Sequence, residues 1–269
     1  MRSRHLEAML VVCLLLMVLA GGGLAESRSG ASSSASTSEG MVDVRVGGLV
    51  FEPGARVALE LLLEDSASCF VSGVVVERLR LLDGQDELID EVVYEPAADI
   101  VGWLGQLRLD AAEGLPLPEG DYRLVVTTSV GSFSAELEVV DASRFEMLGR
   151  YSVTASVCGL SLHVYRMVTE DDAGSRVALR VGDRLMVVLE GNPTTGYEWS
   201  NTLTYEFATL RETAEVEFRP DSSLMGAGGL FLFRYEAFRV GPQAFRFTYQ
   251  RPWESTEPLH VLEFSADVH

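Results

Sequence analysis

Three short segments in the last third of the chain carry residue types that suit contact with another molecule. They are NPTTG at residues 192–196 (loop 1), LMGAGG at residues 224–229 (loop 2) and RPW at residues 251–253 (loop 3). Each combines proline or glycine with a threonine, methionine or tryptophan side chain. None contains a cysteine, a histidine or a carboxylate, so the chemistry that they offer is non-covalent binding rather than catalysis.

Loop 1 has the composition of a stiff crest. Pro193 fixes its own φ and favours an extended backbone at Asn192, and Gly196 can adopt the positive φ that tightens the exit of the turn. Thr194 and Thr195 would then be held in one conformation. A loop ordered in advance loses less entropy when it binds.

Loops 2 and 3 offer different contacts. The glycines of loop 2 expose backbone that can exchange main-chain hydrogen bonds with another chain, and Met225 before them is an adaptable apolar group. In loop 3, Pro252 ends a strand and Trp253 provides the kind of large flat anchor that dominates binding energy. Taken singly, each segment also fits a structural turn, a tight glycine loop or a buried tryptophan.

The segments that must position these loops alternate with a period of two, which predicts β-strands. Residues 41–142 contain short alternating runs, and GDYRLVVTTSVGSFSAELEVV at 120–140 has the pattern of a hairpin with its bend near Val130 to Ser132. Between residues 148 and 269, Gly182-Asp183 and Gly241-Pro242 are predicted turns between further alternating runs. The fold class is therefore all-β, with two β-sandwich domains of which the N-terminal one is expected to be immunoglobulin-like.

The predicted order of the chain starts with a signal peptide at residues 1–25, with an uncleaved membrane anchor as the alternative. A disordered serine-rich linker follows at 26–40, then an N-terminal β-sandwich of unknown role at 41–142 and a C-terminal domain at 148–269. This order indicates a secreted or extracytoplasmic protein, anchored to a membrane only if the N-terminal segment stays uncleaved. Cys69 and Cys158 could pair or remain two buried thiols.

Charge and composition exclude several classes of function. The net charge is −19 and the chain has no lysine, which disfavours binding to nucleic acid or to an anionic membrane surface. No catalytic triad, phosphate-binding loop or zinc spacing can be assembled, and Cys158 and His163 would face opposite sides of a strand. The acidic run Glu170 to Asp172 is typical of a solvated turn. We expect no enzyme activity, no small-molecule substrate, no cofactor and no metal.

Together the three loops resemble the chagasin-type inhibitors of papain-like cysteine peptidases. The similarity lies in the order Asn-Pro-Thr-Thr-Gly, Gly-x-Gly-Gly and Arg-Pro-Trp, extends to PDSSLMGAGG and YQRPWE, and covers about residues 165–269. It implies an immunoglobulin-like C-terminal sandwich with the loops side by side at one end, forming a reversible, non-covalent wedge in the peptidase cleft. Tyr197 stands where the family often has phenylalanine, and simple family members lack the N-terminal domain.

The resemblance also assigns roles to residues. Thr194 and Thr195 would lie over the catalytic cysteine and histidine, Met225 at the apolar specificity pocket, and Trp253 against an aromatic of the primed side. The expected peptidase-binding set is Asn192, Pro193, Thr194, Thr195, Gly196, Tyr197, Leu224, Met225, Gly226, Ala227, Gly228, Gly229, Arg251, Pro252 and Trp253. The alternative is a non-inhibitory adhesion or envelope protein in which the loops are merely structural.

Overall fold

The structure is a computed structural model that describes residues 36–38, 41–63, 73–100, 102–111, 115–147, 156–157, 160–202 and 208–269. The predicted signal peptide, most of the predicted linker, Cys69 and Cys158 lie outside these residues. Ser36–Ser38, inside the predicted linker, pair with the start of the following strand. Within the described part, no helix has the length and apolar character needed to cross a membrane.

The fold is all-β, as the alternation predicted. The only helical segments among the described residues are 3₁₀ turns at Ala142–Met147, Glu170–Asp172 and Pro193–Thr195. The strands in the described ranges are β1 Ser36–Ser38, β2 Met41–Phe51, β3 Arg56–Leu63, β4 Val75–Asp83, β5 Leu88–Asp99, β6 Gly105–Arg108, β7 Gly120–Thr128, β8 Gly131–Val139, β9 Ser156–Val157, β10 Leu160–Val168, β11 Arg176–Leu179, β12 Arg184–Gly191, β13 Glu198–Asn201, β14 Leu210–Glu212, β15 Glu217–Pro220, β16 Gly229–Ala237, β17 Gly241–Gln250 and β18 His260–Val268.

These strands form three sheets. The N-terminal sheet has the order β1-β2-β8-β7-β4-β5, and the C-terminal sheet has the order β11-β18-β17-β13. Between them lies a central sheet of order β14-β16-β12-β10-β3-β6, with β15 also on β16 and β9 also on β10. The central sheet takes strands from both halves of the chain, because β3 pairs with β10 along eight residues.

Two hydrophobic cores fill the spaces between the sheets. The first core lies between the N-terminal and central sheets and includes Leu59, Leu124 and Leu162, all buried. The second lies between the central and C-terminal sheets and is rich in aromatics, such as Phe233 and Phe247, whose rings are 4.9 Å apart. The C-terminal sandwich thus has a packed aromatic core. Strand β10, assigned from sequence to the second domain, also contributes to the first core.

The predicted hairpin at 120–140 is confirmed, with β7 and β8 paired along their whole length around Ser129 and Val130. The predicted turn at Gly241-Pro242 is wrong by a few residues. Both residues already belong to β17, and the chain reverses at Phe238 to Val240. After this turn the chain crosses from β16 of the central sheet to β17 of the C-terminal sheet, where β17 pairs with β18 and β13.

Both outer sheets pack against the same face of the central sheet. Leu162 and Val164 of β10 face the first core, and Val168, an even number of residues later on the same strand, faces the second. The opposite face carries a smaller buried cluster that includes Ala58, Met186 and Leu232. The central sheet is therefore buried on both faces, with the two cores on one face and this smaller cluster on the reverse face.

Candidate peptidase-binding site

Loops 1 and 2 emerge from strands that are hydrogen-bonded neighbours. Strand β12 ends at Gly191 and β16 begins at Gly229, and these two residues face each other in the antiparallel register. Loop 1 follows the first and loop 2 precedes the second. The backbone pairing of the sheet alone therefore brings the two loops side by side.

Loop 1 has the local geometry that its sequence predicts. Asn192 is extended, with φ −140° and ψ 99°, and Gly196 adopts the left-handed conformation with φ 82°. The Asn192 side chain accepts hydrogen bonds from the Thr194 amide at 3.0 Å and the Thr194 hydroxyl at 2.6 Å, and the Thr195 hydroxyl donates to the Asn192 carbonyl at 2.6 Å. Both threonines are exposed at the crest.

A side-chain hydrogen bond joins loop 1 to loop 2. The Asn192 Nδ2 donates to the Gly226 carbonyl at 2.8 Å, and the Asn192 backbone N–H donates to the Tyr249 hydroxyl at 2.8 Å. The Asn192 side chain thus uses its oxygen within loop 1 and its NH2 group to bind loop 2. The two loops form one connected surface.

Loop 2 is a tight turn with an exposed apolar tip. Leu224 is 76% exposed and Met225 is fully exposed, while the Asp221 amide and the Gly228 carbonyl close the turn at 2.9 Å. Gly226 has φ 84°, so the glycine is needed there. Gly229 differs from the expectation for a contact residue, because it is buried and begins strand β16. A Cβ at Gly229 would lie 2.1 Å from the Arg219 carbonyl, so this glycine permits close strand pairing.

Loop 3 reaches loop 1 from the C-terminal sheet. The Arg251 Nε donates to the Thr195 carbonyl at 3.2 Å, and its guanidinium lies 4.6 Å from the centre of the Tyr197 ring. The hydrogen bond to Glu254 raises the pKa of Arg251 above its ordinary value. The Trp253 indole rests against Gly196 and is 70% exposed.

The structure brings the sequence-predicted residues together at one end of the C-terminal sandwich. Fourteen of them belong to the connected loop surface or its immediate support, and Gly229 supports the surface from within β16. Tyr249 was missed by the sequence analysis, although it anchors loop 1. Its alternating spacing with Phe245 and Phe247 is that of an ordinary core residue.

The arrangement presents groups suited to non-covalent binding. Its exposed groups include the threonine hydroxyls, Leu224, Met225 and the Trp253 indole. No group of three or more histidine, cysteine or acidic residues that could hold a metal occurs within the described ranges. Asp171 and Asp172 of the acidic run instead form ion pairs with Arg56.

Comparison with known proteins identifies a family that contains this end of the molecule. The family model described as Chagasin family peptidase inhibitor I42 matches residues 178–268. Chagasin of Trypanosoma cruzi is 34% identical over 99 residues, which cover 36% of this chain and 88% of chagasin. Amoebiasin-2 of Entamoeba histolytica is 27% identical over 116 residues, which cover 42% of this chain and 94% of that protein.

Two of the solved structures that match cover about two fifths of the chain. A crystal structure of a cysteine protease inhibitor from Entamoeba histolytica matches with 25% identity and a TM-score of 0.35, covering 38% of this chain and 94% of that one. A second match, to a structure in which the inhibitor PbICP-C is in complex with falcipain-2, has 20% identity and a TM-score of 0.27. It covers 39% of this chain and 91% of that one.

Proposed function

Because this chain belongs to the chagasin family of peptidase inhibitors, we propose that it inhibits papain-like cysteine peptidases by filling the active-site cleft with loops 1, 2 and 3. The family consists of inhibitors rather than enzymes, so no catalytic role is assigned to the chain. The observation that carries the proposal is the joining of three exposed loops into one surface by Asn192 and Arg251.

The contacts available to a peptidase follow from this surface. Thr194 and Thr195 form the central crest, Met225 is an apolar side chain free to enter a pocket, and Trp253 is a flat face at the other end. By resemblance, the crest would lie over the catalytic cysteine and histidine, with the glycine backbone along the unprimed side. The loops contain no electrophile, so the block would be reversible and non-covalent.

The size of such an interface is compatible with tight binding. A standard protein interface buries on the order of 1,600 Å² in total, and its affinity depends on rigid anchors more than on area. Loops 1 and 3 are held by hydrogen bonds before any partner arrives, which reduces the entropy cost. The inhibitor is further proposed to act outside the cytoplasm, secreted or tethered by its N-terminal segment, as its predicted signal peptide indicates.

The direct test is titration of papain, with a fluorogenic substrate, by the full chain and by Trp253→Ala. The full chain is expected to reduce activity in a dose-dependent manner that dilution reverses. Losing the indole should weaken inhibition by roughly 2–4 kcal/mol, about 30- to 1,000-fold. If papain instead keeps its full activity at micromolar concentrations of the chain, the alternative function of a non-inhibitory adhesion or envelope protein is favoured.

A further inference from the structure

A cluster of four charged residues, Glu60, Glu217, Arg219 and Arg234, lies on the reverse face of the central sheet. Glu60 comes from β3 in the N-terminal half and is completely buried. Its carboxylate accepts from Arg234 at 2.9 and 2.6 Å and from Arg219 at 2.7 Å. Glu217 binds the same two arginines, so the formal charges within the Glu60 cluster balance. Burial of this kind is tolerated only where each charge is paired.

The cluster brings together residues from both borders of the central sheet. Arg219 is on β15, beyond β16, whereas Gly102 lies three residues before β6 at the opposite border. The Arg219 Nη1 nevertheless donates to the Gly102 carbonyl at 3.0 Å. The reverse face is therefore concave, and Ala58, Met186 and Leu232 are buried on it.

Arg219 sits at the base of loop 2. Strand β15 ends at Pro220, loop 2 follows, and β16 begins at Gly229, so Pro220 and Gly229 face each other. The guanidinium of Arg219 binds Glu60, Glu217 and the Gly102 carbonyl, and only 17% of its side chain is exposed. Two of these three partners come from the N-terminal half of the chain.

We propose that Glu60 and Arg219 are positioning residues for peptidase binding, through which the N-terminal half holds the β15–β16 hairpin and hence loop 2 in its binding conformation. This inference rests on the proposed function. Apart from the contacts of Arg219, β15 is only a four-residue strand at the border of the sheet. Release of its anchor would let loop 2 sample more conformations, and ordering one backbone residue on binding costs about a tenfold factor in affinity.

Two variants test the proposal by independent routes. Arg219→Met removes the anchor and leaves the buried Glu60 paired with Arg234. The one unbalanced negative charge can be carried by Glu217, whose side chain is 40% exposed. Glu60→Gln changes a residue that no partner can reach, because its exposure is zero. Each should raise the inhibition constant for papain by about tenfold or more. Arg219→Lys, which keeps the charge and a donor, should recover part of the loss.

Arg211→Met is the matched control. Arg211 pairs with Glu236 across β14 and β16, at the far end of the strand that bears loop 2, and 60% of its side chain is exposed. This variant should inhibit like the unmodified chain. Effects on folding are separated by comparing melting temperatures and, if Glu60→Gln does not fold, by relying on the two Arg219 variants.

Amide hydrogen exchange of the free protein provides a readout that does not depend on inhibition. Arg219→Met should accelerate exchange at residues 221–230 and leave residues 191–197 unchanged. Folded variants in which either the exchange in loop 2 or the inhibition constant is unaltered would overturn the positioning role. If the unmodified chain does not inhibit papain, the proposed function fails, whereas unchanged exchange at 221–230 would refute the positioning role by itself.

Discussion

The contact between Gly196 and Trp253 allows a sharp test of how the loops cooperate. Gly196 has φ 82°, and a Cβ added there would lie 2.6 Å from Cη2 and 2.9 Å from Cζ2 of the Trp253 indole. Carbon atoms pack at about 3.5–4 Å, so Gly196→Ala must displace the ring by about 1 Å. The ring can yield because 70% of it is exposed. The substitution should therefore disturb loop 3 through a change in loop 1.

Two contributions to the effect can be separated. An alanine in the left-handed region costs about 1–2 kcal/mol, which should appear in the free energy of unfolding. Burying the exposed part of an indole removes on the order of 100–170 Å² from water, worth roughly 3–4 kcal/mol at full burial. Displacement of the ring should forfeit a part of that, so we expect Gly196→Ala to weaken inhibition by about 1–3 kcal/mol, or 5- to 150-fold.

A double-mutant cycle with Trp253→Ala, measured as inhibition constants for papain, tests the mechanism. Once the indole is removed, Gly196→Ala should change the inhibition constant little, because its backbone strain lowers the free energy of unfolding instead, so the two effects on inhibition should be less than additive by about 1 kcal/mol or more. Gly174→Ala is the control, because Gly174 has φ 75° and open space around its Cβ. It should lower stability without changing inhibition. Fully additive effects, or normal inhibition by Gly196→Ala, would refute the reasoning.

Two further predictions concern the hydrogen bonds of the loops and the buried charges. Asn192→Asp keeps the acceptor for Thr194 but places a carboxylate oxygen against the Gly226 carbonyl, so the inhibition constant for papain should rise by about tenfold or more. Acid should destabilise the whole fold through Glu60. Burial alone would raise the pKa of Glu60, but hydrogen bonds and charges from Arg234 and Arg219 outweigh it and hold that pKa below 4.5. The contribution of Glu60 to the free energy of unfolding is thus complete above about pH 4.5 and is lost as the pH falls through the lowered pKa. Melting curves recorded between pH 7 and pH 3 should show this loss. The melting temperature of Glu60→Gln should depend less on pH.

The parts of the site that were predictable from sequence are those with local causes. The conformation of loop 1 follows from Pro193 and Gly196, and the adjacency of the loops was implied by resemblance. The role of Gly229 could not be predicted, because a glycine at the end of a loop and one at the start of a closely paired strand look alike in sequence. Only the approach of the Arg219 carbonyl distinguishes them.

No local sequence pattern predicts the buried ion pairs on the reverse face of the central sheet. In the alternating run ARVALELLLE, Glu60 occupies the position of a solvent-facing residue, since its neighbours Leu59 and Leu61 face the first core. Its arginine partners are 159 and 174 residues away. Pairing over such distances depends on the tertiary fold, so alternation indicates the inward-facing leucines but does not reveal the buried ion pairs of the carboxylate between them.

The three loops differ in what fixes their mutual positions, and this difference should govern their sensitivity to mutation. Loops 1 and 2 leave and enter the facing ends of β12 and β16, so eight consecutive residue pairs of β-sheet set their separation. Loop 3 follows β17, and four residue pairs between β13 and β17, beginning with Glu198 opposite Gln250, join the exit of loop 1 to the entry of loop 3. The tip of loop 3 is held to loop 1 by the Arg251 hydrogen bond and the packing of Trp253 on Gly196. Backbone pairing persists when a surface side chain is replaced, whereas a contact made by that side chain does not. Substitutions of Arg251 or Trp253 should therefore change how the tip of loop 3 lies against loop 1, while most substitutions at loops 1 and 2 should change only local contacts.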